Sequence, residues 1–155
     1  MMTLCCDVLS ALTGKTLVTA ESLTGGGIGA ALTSVSGASA VYKGGIISYT
    51  NAVKHGILGV SRETLDQYGA VSEPVAKAMA EGARKILEAD VAVSVTGLAG
   101  PGGDEFGNPV GTVFIGYSDS KTTLVKHCLF SGDRESIRHQ TIEAALRLVV
   151  AIQSL

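Results

Sequence analysis

Thr16-Leu17-Val18-Thr19-Ala20-Glu21-Ser22-Leu23-Thr24-Gly25-Gly26-Gly27-Ile28-Gly29 is the stretch whose reading decides the fold. Thr16 to Ala20 reads as a buried strand. A polar Glu-Ser pair follows, and the glycines then open a helix. The same order recurs where Val91-Ala92-Val93-Ser94-Val95-Thr96 runs into Gly97-Leu98-Ala99-Gly100-Pro101-Gly102-Gly103. Glycine-rich loops at strand ends are where α/β proteins bring backbone close to ligands.

The rest of the chain extends this pattern. Gly44 to Tyr49 reads as another strand. Val110 to Tyr117 and Thr122 to Phe130 read as two more, joined by the polar turn Ser118-Asp119-Ser120-Lys121. So short a connection implies an antiparallel pair. Leu4, Val8 and Leu12 form a short helical stripe. Glu73 to Glu88 reads as a helix with Pro74 in its first turn and Val75, Met79, Ala83 and Ile86 inward. Glu81 and Lys85 are an i,i+4 pair on its other face. A last helix, about Asp133 to Gln153, turns Ile137, Thr141, Ala144, Leu148 and Ile152 inward and Glu135, His139, Glu143 and Arg147 outward. The expected fold is α/β: a three-layer α/β/α sandwich around a mixed sheet of about five strands, in one domain over residues 1–155.

Composition narrows the function. The chain has 155 residues, 20 of them glycine, with 17% charged residues and a net charge of −2. That balance argues against a nucleic-acid partner. No window has the roughly 18 unbroken apolar residues of a membrane span, and the first residues lack the basic start of a signal peptide. Cys5, Cys6 and Cys128 form no disulfide framework, so reduced thiols in the cytoplasm are expected. His55, His127 and His139 have no ligand spacing, so no metal is expected.

Several familiar sites are absent. Gly25 to Ala30 formally fits a dinucleotide fingerprint, but no Asp or Glu stands between Glu21 and Glu63 to hold a ribose. There is no G-x-x-x-x-G-K-[ST] run and no G-x-S-x-G elbow. Ser118 to Lys121 spells S-x-x-K, but in a hairpin turn. The Glu21-Ser22 turn remains. A helix N-terminus there suits a phosphate or an oxyanion. Two roles fit Ser22 on residue chemistry alone: a nucleophile, or, with Thr24, a helix cap.

At these residues the chain resembles the CinA C-terminal domain family (competence/damage-inducible proteins). Four stretches carry the resemblance: Ala20 to Gly26, Tyr49-Thr50-Asn51-Ala52-Val53-Lys54, Gly69-Ala70-Val71-Ser72-Glu73-Pro74-Val75, and Thr96 to Gly103. Pro109 to Val113 and Phe130 to Arg134 continue it, in the family's order from about residue 17 onward, with a weak match before Thr16. Stand-alone family members include nicotinamide-mononucleotide deamidases. The resemblance implies an amidohydrolase that converts nicotinamide mononucleotide to nicotinate mononucleotide and ammonia, in pyridine nucleotide salvage and without a cofactor. It implies a serine–lysine mechanism carried by Ser22 and Lys54 with Tyr49 in support, and a homo-oligomer. Longer members carry an N-terminal domain resembling molybdopterin-binding proteins. This chain is expected to lack that domain, so pyrophosphatase activity tied to it is not carried over.

The chemistry is coherent with those residue types. Serine needs a base before it attacks an amide. A lysine serves if burial lowers its pKa toward neutrality. Substrate contacts are expected from the backbone near Thr24, Gly25 and Gly26. A phosphate anchor is expected from Thr96, Gly97 and Gly100 with Arg134 and Arg138. The alternative is a non-catalytic nucleotide-binding or regulatory module of the same fold, with Ser22 only capping a helix.

Overall fold

Strand β1 (Leu17–Glu21) is buried along its whole length because it lies inside the sheet and is covered on both faces. The computed structural model describes residues Met1–Leu155. On one side β1 pairs in parallel with β2 (Tyr42–Ile47), on the other with β3 (Val91–Gly97). Beyond β3 the sheet turns antiparallel through β4 (Thr112–Ser118) and β5 (Thr123–Leu129), giving the order β2-β1-β3-β4-β5. The mixed five-strand α/β sandwich agrees with the sequence reading.

The two faces carry separate cores. On one, Leu17, Val93, Val95, Ile115 and Tyr117 pack against helices α1 (Met2–Ala11), α2 (Gly27–Thr33) and α6 (Arg134–Gln153). On the other, Val18, Ala20 and Ala92 meet α4 (Arg62–Tyr68), α5 (Glu73–Ile86) and the Leu58–Val60 segment, which follows α3 (Asn51–Gly56). The alternation of residues 17 to 21 between these cores is the period of two of a strand.

The connections create a crevice. The chain leaves β1 over the α2 face toward β2 and returns over the α5 face to β3. From β3 it leaves in the other direction, toward β4. The loops after β1 and β3 therefore part company, which is the topological switch point where open α/β sheets bind ligands.

Several local expectations change. β2 starts two residues before Gly44 and ends before Tyr49, freeing Ser48 and Tyr49 for a loop. α4 and a short 3₁₀ turn at Ala38–Ala40 were not anticipated; each is a turn or two long, too short for a periodic signal. On α6 the buried stripe is Ile137, Thr141, Ala145, Leu146 and Val149. Ala144, Leu148 and Ile152 are only partly buried, because α1 and the sheet contact the helix from a direction rotated from the one its sequence pattern suggests. Ile86, at the end of α5, is exposed. Glu81 and Lys85 make no ion pair; the single one in the molecule joins Arg147 to Glu143 at 2.7 Å.

Gly116 sets how closely α5 approaches the sheet. A Cβ there would lie 2.5 Å from the Ala76 carbonyl oxygen and 2.4 Å from Ser94 Oγ. Gly116→Ala is therefore expected to lower stability by about 1–3 kcal/mol, measured by urea unfolding. An unchanged midpoint would show that α5 moves away freely.

Candidate active site

Ser22 is the first residue past β1. Its N–H donates to the Val95 carbonyl of β3 at 3.1 Å, which holds the turn against the central strand. The chain then reverses through Gly25 and Gly26, whose φ values of +59° and +100° place them where side chains are disfavoured. The Ser22 side chain is buried at this reversal.

Lys54 reaches the same point from α3. Thr50 caps that helix by accepting the Val53 N–H at 3.4 Å. Lys54 is 1% exposed. Its Nζ donates to Ser22 Oγ at 3.0 Å, to the Ser48 carbonyl at 2.8 Å and to the Tyr49 carbonyl at 3.2 Å. These contacts use all three donors of an ammonium. No carboxylate pairs with it. Burial without a counter-charge disfavours the charged form and lowers its pKa from 10.5 to about 8.

This geometry has a chemical consequence. Carbonyl oxygens only accept. A neutral Lys54 amine keeps two N–H bonds for Ser48 and Tyr49, and its lone pair is left for the Ser22 hydroxyl proton. The sequence reading left open whether Ser22 caps α2, and in the structure it does not. The residue bonded to the first turn of α2 is Glu21, whose carboxylate accepts the Ile28 N–H at 2.8 Å and the Gly29 N–H at 3.1 Å.

Ser22 and Lys54 open into a cleft of about 300 Å³, which Tyr49, Thr96, Gly97, Gly100 and Arg134 also line. Thr96 turns its hydroxyl to the Ala70 carbonyl at 2.7 Å. Arg134 bridges the mouth, donating to the Gly100 carbonyl at 2.6 Å and to the Tyr49 hydroxyl at 3.3 Å. Tyr49 thus holds Lys54 through its main chain, while its side chain faces Arg134. A larger hollow of about 410 Å³ lies at the opposite end of the sheet, beside Lys15, Arg84, Asp90 and Asp119. It contains no nucleophile–base pair.

Four residues expected to touch substrate do not line the cleft. The Thr24 hydroxyl donates to Glu21 at 2.6 Å. Gly25 and Gly26 form the reversal. Arg138 donates to the Leu23 carbonyl at 2.8 Å and the Thr24 carbonyl at 3.2 Å, bracing the turn from outside. What the turn does offer is backbone: Leu23 lines the cleft, and its N–H has no acceptor in the chain. Ser48 was missed because it acts through its main chain, which leaves no sequence signature. Glu21 carries no role in the sequence reading, although a buried carboxylate with no ion-pair partner requires neutral donors.

A match to the CinA C-terminal domain family spans residues 3–152. The chain belongs to the CinA C-terminal domain family. The match includes α1, ahead of the motifs that begin near residue 17. A CinA-like protein of Sulfurihydrogenibium sp. is 46% identical over 135 residues, 87% of this chain and 34% of that protein. A CinA-like protein of Prochlorococcus marinus is 57% identical over 102 residues, 66% of this chain and 24% of that protein. The chain therefore spans about a third or less of the curated relatives it matches. A crystal structure of a CinA superfamily protein from Klebsiella pneumoniae has a TM-score of 0.96 at 33% identity, over 99% of this chain and 97% of that one. The competence/damage inducible protein CihA from Agrobacterium tumefaciens has a TM-score of 0.93 at 39% identity, over 97% of this chain and 94% of that one. No helix of this CinA-family chain is long and apolar enough to cross a membrane.

The buried lysine makes stability depend on pH in a defined direction. Its folded pKa lies below its unfolded one, so between about pH 8 and 10.5 the unfolded chain binds more protons at this site. The penalty for burying the ammonium is complete below pH 8 and is relieved as pH rises through that window. Stability of the parent relative to Lys54→Met is expected to rise from pH 8 to 10, measured by denaturant unfolding at each pH. A flat difference would mean that Lys54 is not buried as an uncompensated charge.

Proposed function

We propose that this chain is a nicotinamide-mononucleotide deamidase, hydrolysing the carboxamide to nicotinate mononucleotide and ammonia by a serine–lysine mechanism in cytoplasmic pyridine nucleotide salvage. The observation that carries the reading is the 3.0 Å contact between Ser22 Oγ and a buried, uncompensated Lys54 Nζ. A pKa of about 8 leaves about a tenth of Lys54 neutral at pH 7, a workable supply of base.

The proposed steps follow from the groups present. Neutral Lys54 takes the Ser22 proton as Oγ attacks the carboxamide carbon. The oxygen that becomes negative accepts a hydrogen bond from the free N–H of Leu23, which lines the cleft. Lys54 returns the proton to the amide nitrogen, the C–N bond breaks, and ammonia leaves an acyl ester on Ser22. Water, deprotonated by Lys54, hydrolyses the ester, and the proton goes back to Ser22. Ser48 and Tyr49 keep Lys54 in place throughout. Arg134 and the glycine loop from Gly97 to Gly102 are the proposed phosphate anchor, since Ala99, Gly100 and Gly102 have N–H groups with no acceptor in the chain. In this reading no metal or organic cofactor takes part, and the partners are the nucleotide and further copies of the chain.

The test is ammonia release from nicotinamide mononucleotide with a chelator present. Ser22→Ala is expected to lower kcat at least about 10³-fold. The parent rate is expected to rise with pH through about 8 and then level off, as the base loses its proton. A nucleoside lacking the 5′-phosphate is expected to show a raised KM. Thermal stabilisation by the nucleotide with no ammonia released would replace this reading with that of a binding module.

A further inference from the structure

Glu21 takes no part in the steps above, yet it is the most fully bonded side chain beside them. It is 2% exposed. One carboxylate oxygen accepts the Thr24 hydroxyl at 2.6 Å and the Ile28 N–H at 2.8 Å. The other accepts the Gly29 N–H at 3.1 Å and the Thr19 hydroxyl at 3.3 Å. With Thr19 donating to Glu21, the 2.8 Å contact between Thr19 and Tyr42 requires the Tyr42 hydroxyl to be its donor. No lysine or arginine pairs with the carboxylate.

These bonds enclose the Ser22 turn. The donors come from residue 19 before it, residue 24 within it, and residues 28 and 29 after it. The Glu21 main chain reaches the base as well. Its carbonyl accepts the Ser48 N–H at 2.8 Å, and the Ser48 carbonyl is the nearest acceptor of Lys54 Nζ. α2 has only seven residues, and its N-cap, Gly26, supplies no side-chain bond. The Ser22–Val95 bond and Arg138 hold the loop from its main chain, and Glu21 is the side chain that ties that loop to the first turn of α2.

We propose that Glu21 is the positioning residue of the site, fixing the Ser22 hydroxyl and the Leu23 N–H in the geometry for attack. This rests on the serine–lysine reading. Glu21 touches neither substrate nor base through its side chain. It acts by holding the turn.

The experiment uses Glu21→Gln, which preserves size but turns an amide NH2 toward groups that are themselves donors. Two readouts are taken on folded protein. The first is labelling of Ser22 by an alkyl fluorophosphonate, followed by intact-protein mass spectrometry, which requires only an activated serine. The second is the pH profile of ammonia release from nicotinamide mononucleotide. Labelling rate and kcat are expected to fall about 10–100-fold, with KM within about twofold and the profile midpoint unmoved. Labelling at the parent rate would overturn the proposal. So would a displaced midpoint, because Glu21 would then act as a charge on Lys54. Where Glu21→Gln does not fold, Thr24→Val decides: it removes one donor, and a parent-like labelling rate would overturn the proposal. A parent that labels but releases no ammonia overturns the deamidase reading and leaves this test intact. A parent that does not label at Ser22 overturns the serine–lysine reading and this proposal with it.

Discussion

The buried ammonium of Lys54 is the constraint on which the arrangement around it depends. Its pKa falls from 10.5 to about 8, and one pKa unit corresponds to about 1.4 kcal/mol. Holding the charged form in place therefore costs about 3 kcal/mol near neutral pH. The fold must hold the Lys54 amine more firmly than that cost releases it. It does so with two main-chain carbonyls, which are fixed by the course of the backbone and cannot be removed by a change of side chain. An aspartate or glutamate in their place would stabilise the ammonium, raise its pKa and, on the proposed reading, remove the base.

The same logic explains why two buried charges of opposite sign stay unpaired. Glu21 sits at the end of β1 on the α2 side and is bonded only by neutral donors. Lys54 arrives on the crossover that covers the opposite face and is bonded only by neutral acceptors. Were the two to meet, each would neutralise the other, and on the proposed reading the turn would lose its anchor and the base its reactivity. The end of β1 stands between those two faces, and the departure of the β1 and β3 loops in opposite directions leaves the gap into which both Ser22 and Lys54 open. Sheet topology and site electrostatics are therefore one design.

Much of this was legible in the residues. The strand-then-glycine pattern at residues 16–29 and 91–103 identified both loops of the crevice, because a buried strand and a glycine reversal have strong local signatures. Ser22 and Lys54 were named together through the resemblance carried by residues 20–26 and 49–54. What could not be read was which partner each group chooses. Arg138 and Arg134 stand four apart on α6, one turn of helix, and nothing in their identities says that one braces the turn while the other faces the cleft. Thr24 has the composition of a cap or a ligand, and only the fold shows its hydroxyl turned to Glu21. The α6 stripe shifted for a similar reason: its pattern is compatible with neighbouring faces, and contacts from α1 and the sheet choose between them.

On the proposed reading, the position of the anion anchor follows from the same electrostatics. A phosphate placed against Lys54 would stabilise the ammonium as effectively as a carboxylate, so substrate binding would silence the base. On the proposed reading the phosphate must be held elsewhere in the cleft, by groups that satisfy it without drawing on Lys54. Arg134 has that standing: it starts α6, reaches the Gly100 carbonyl and the Tyr49 hydroxyl, and borders the glycine loop rather than α3. Its positive charge and the loop N–H groups oppose the field that the phosphate exerts on the base. A mildly acidic protein with few charged residues suits such a site, because one arginine and a few backbone donors hold a single phosphate without a broadly basic surface. The glycines that thin the composition are what bring that backbone within reach.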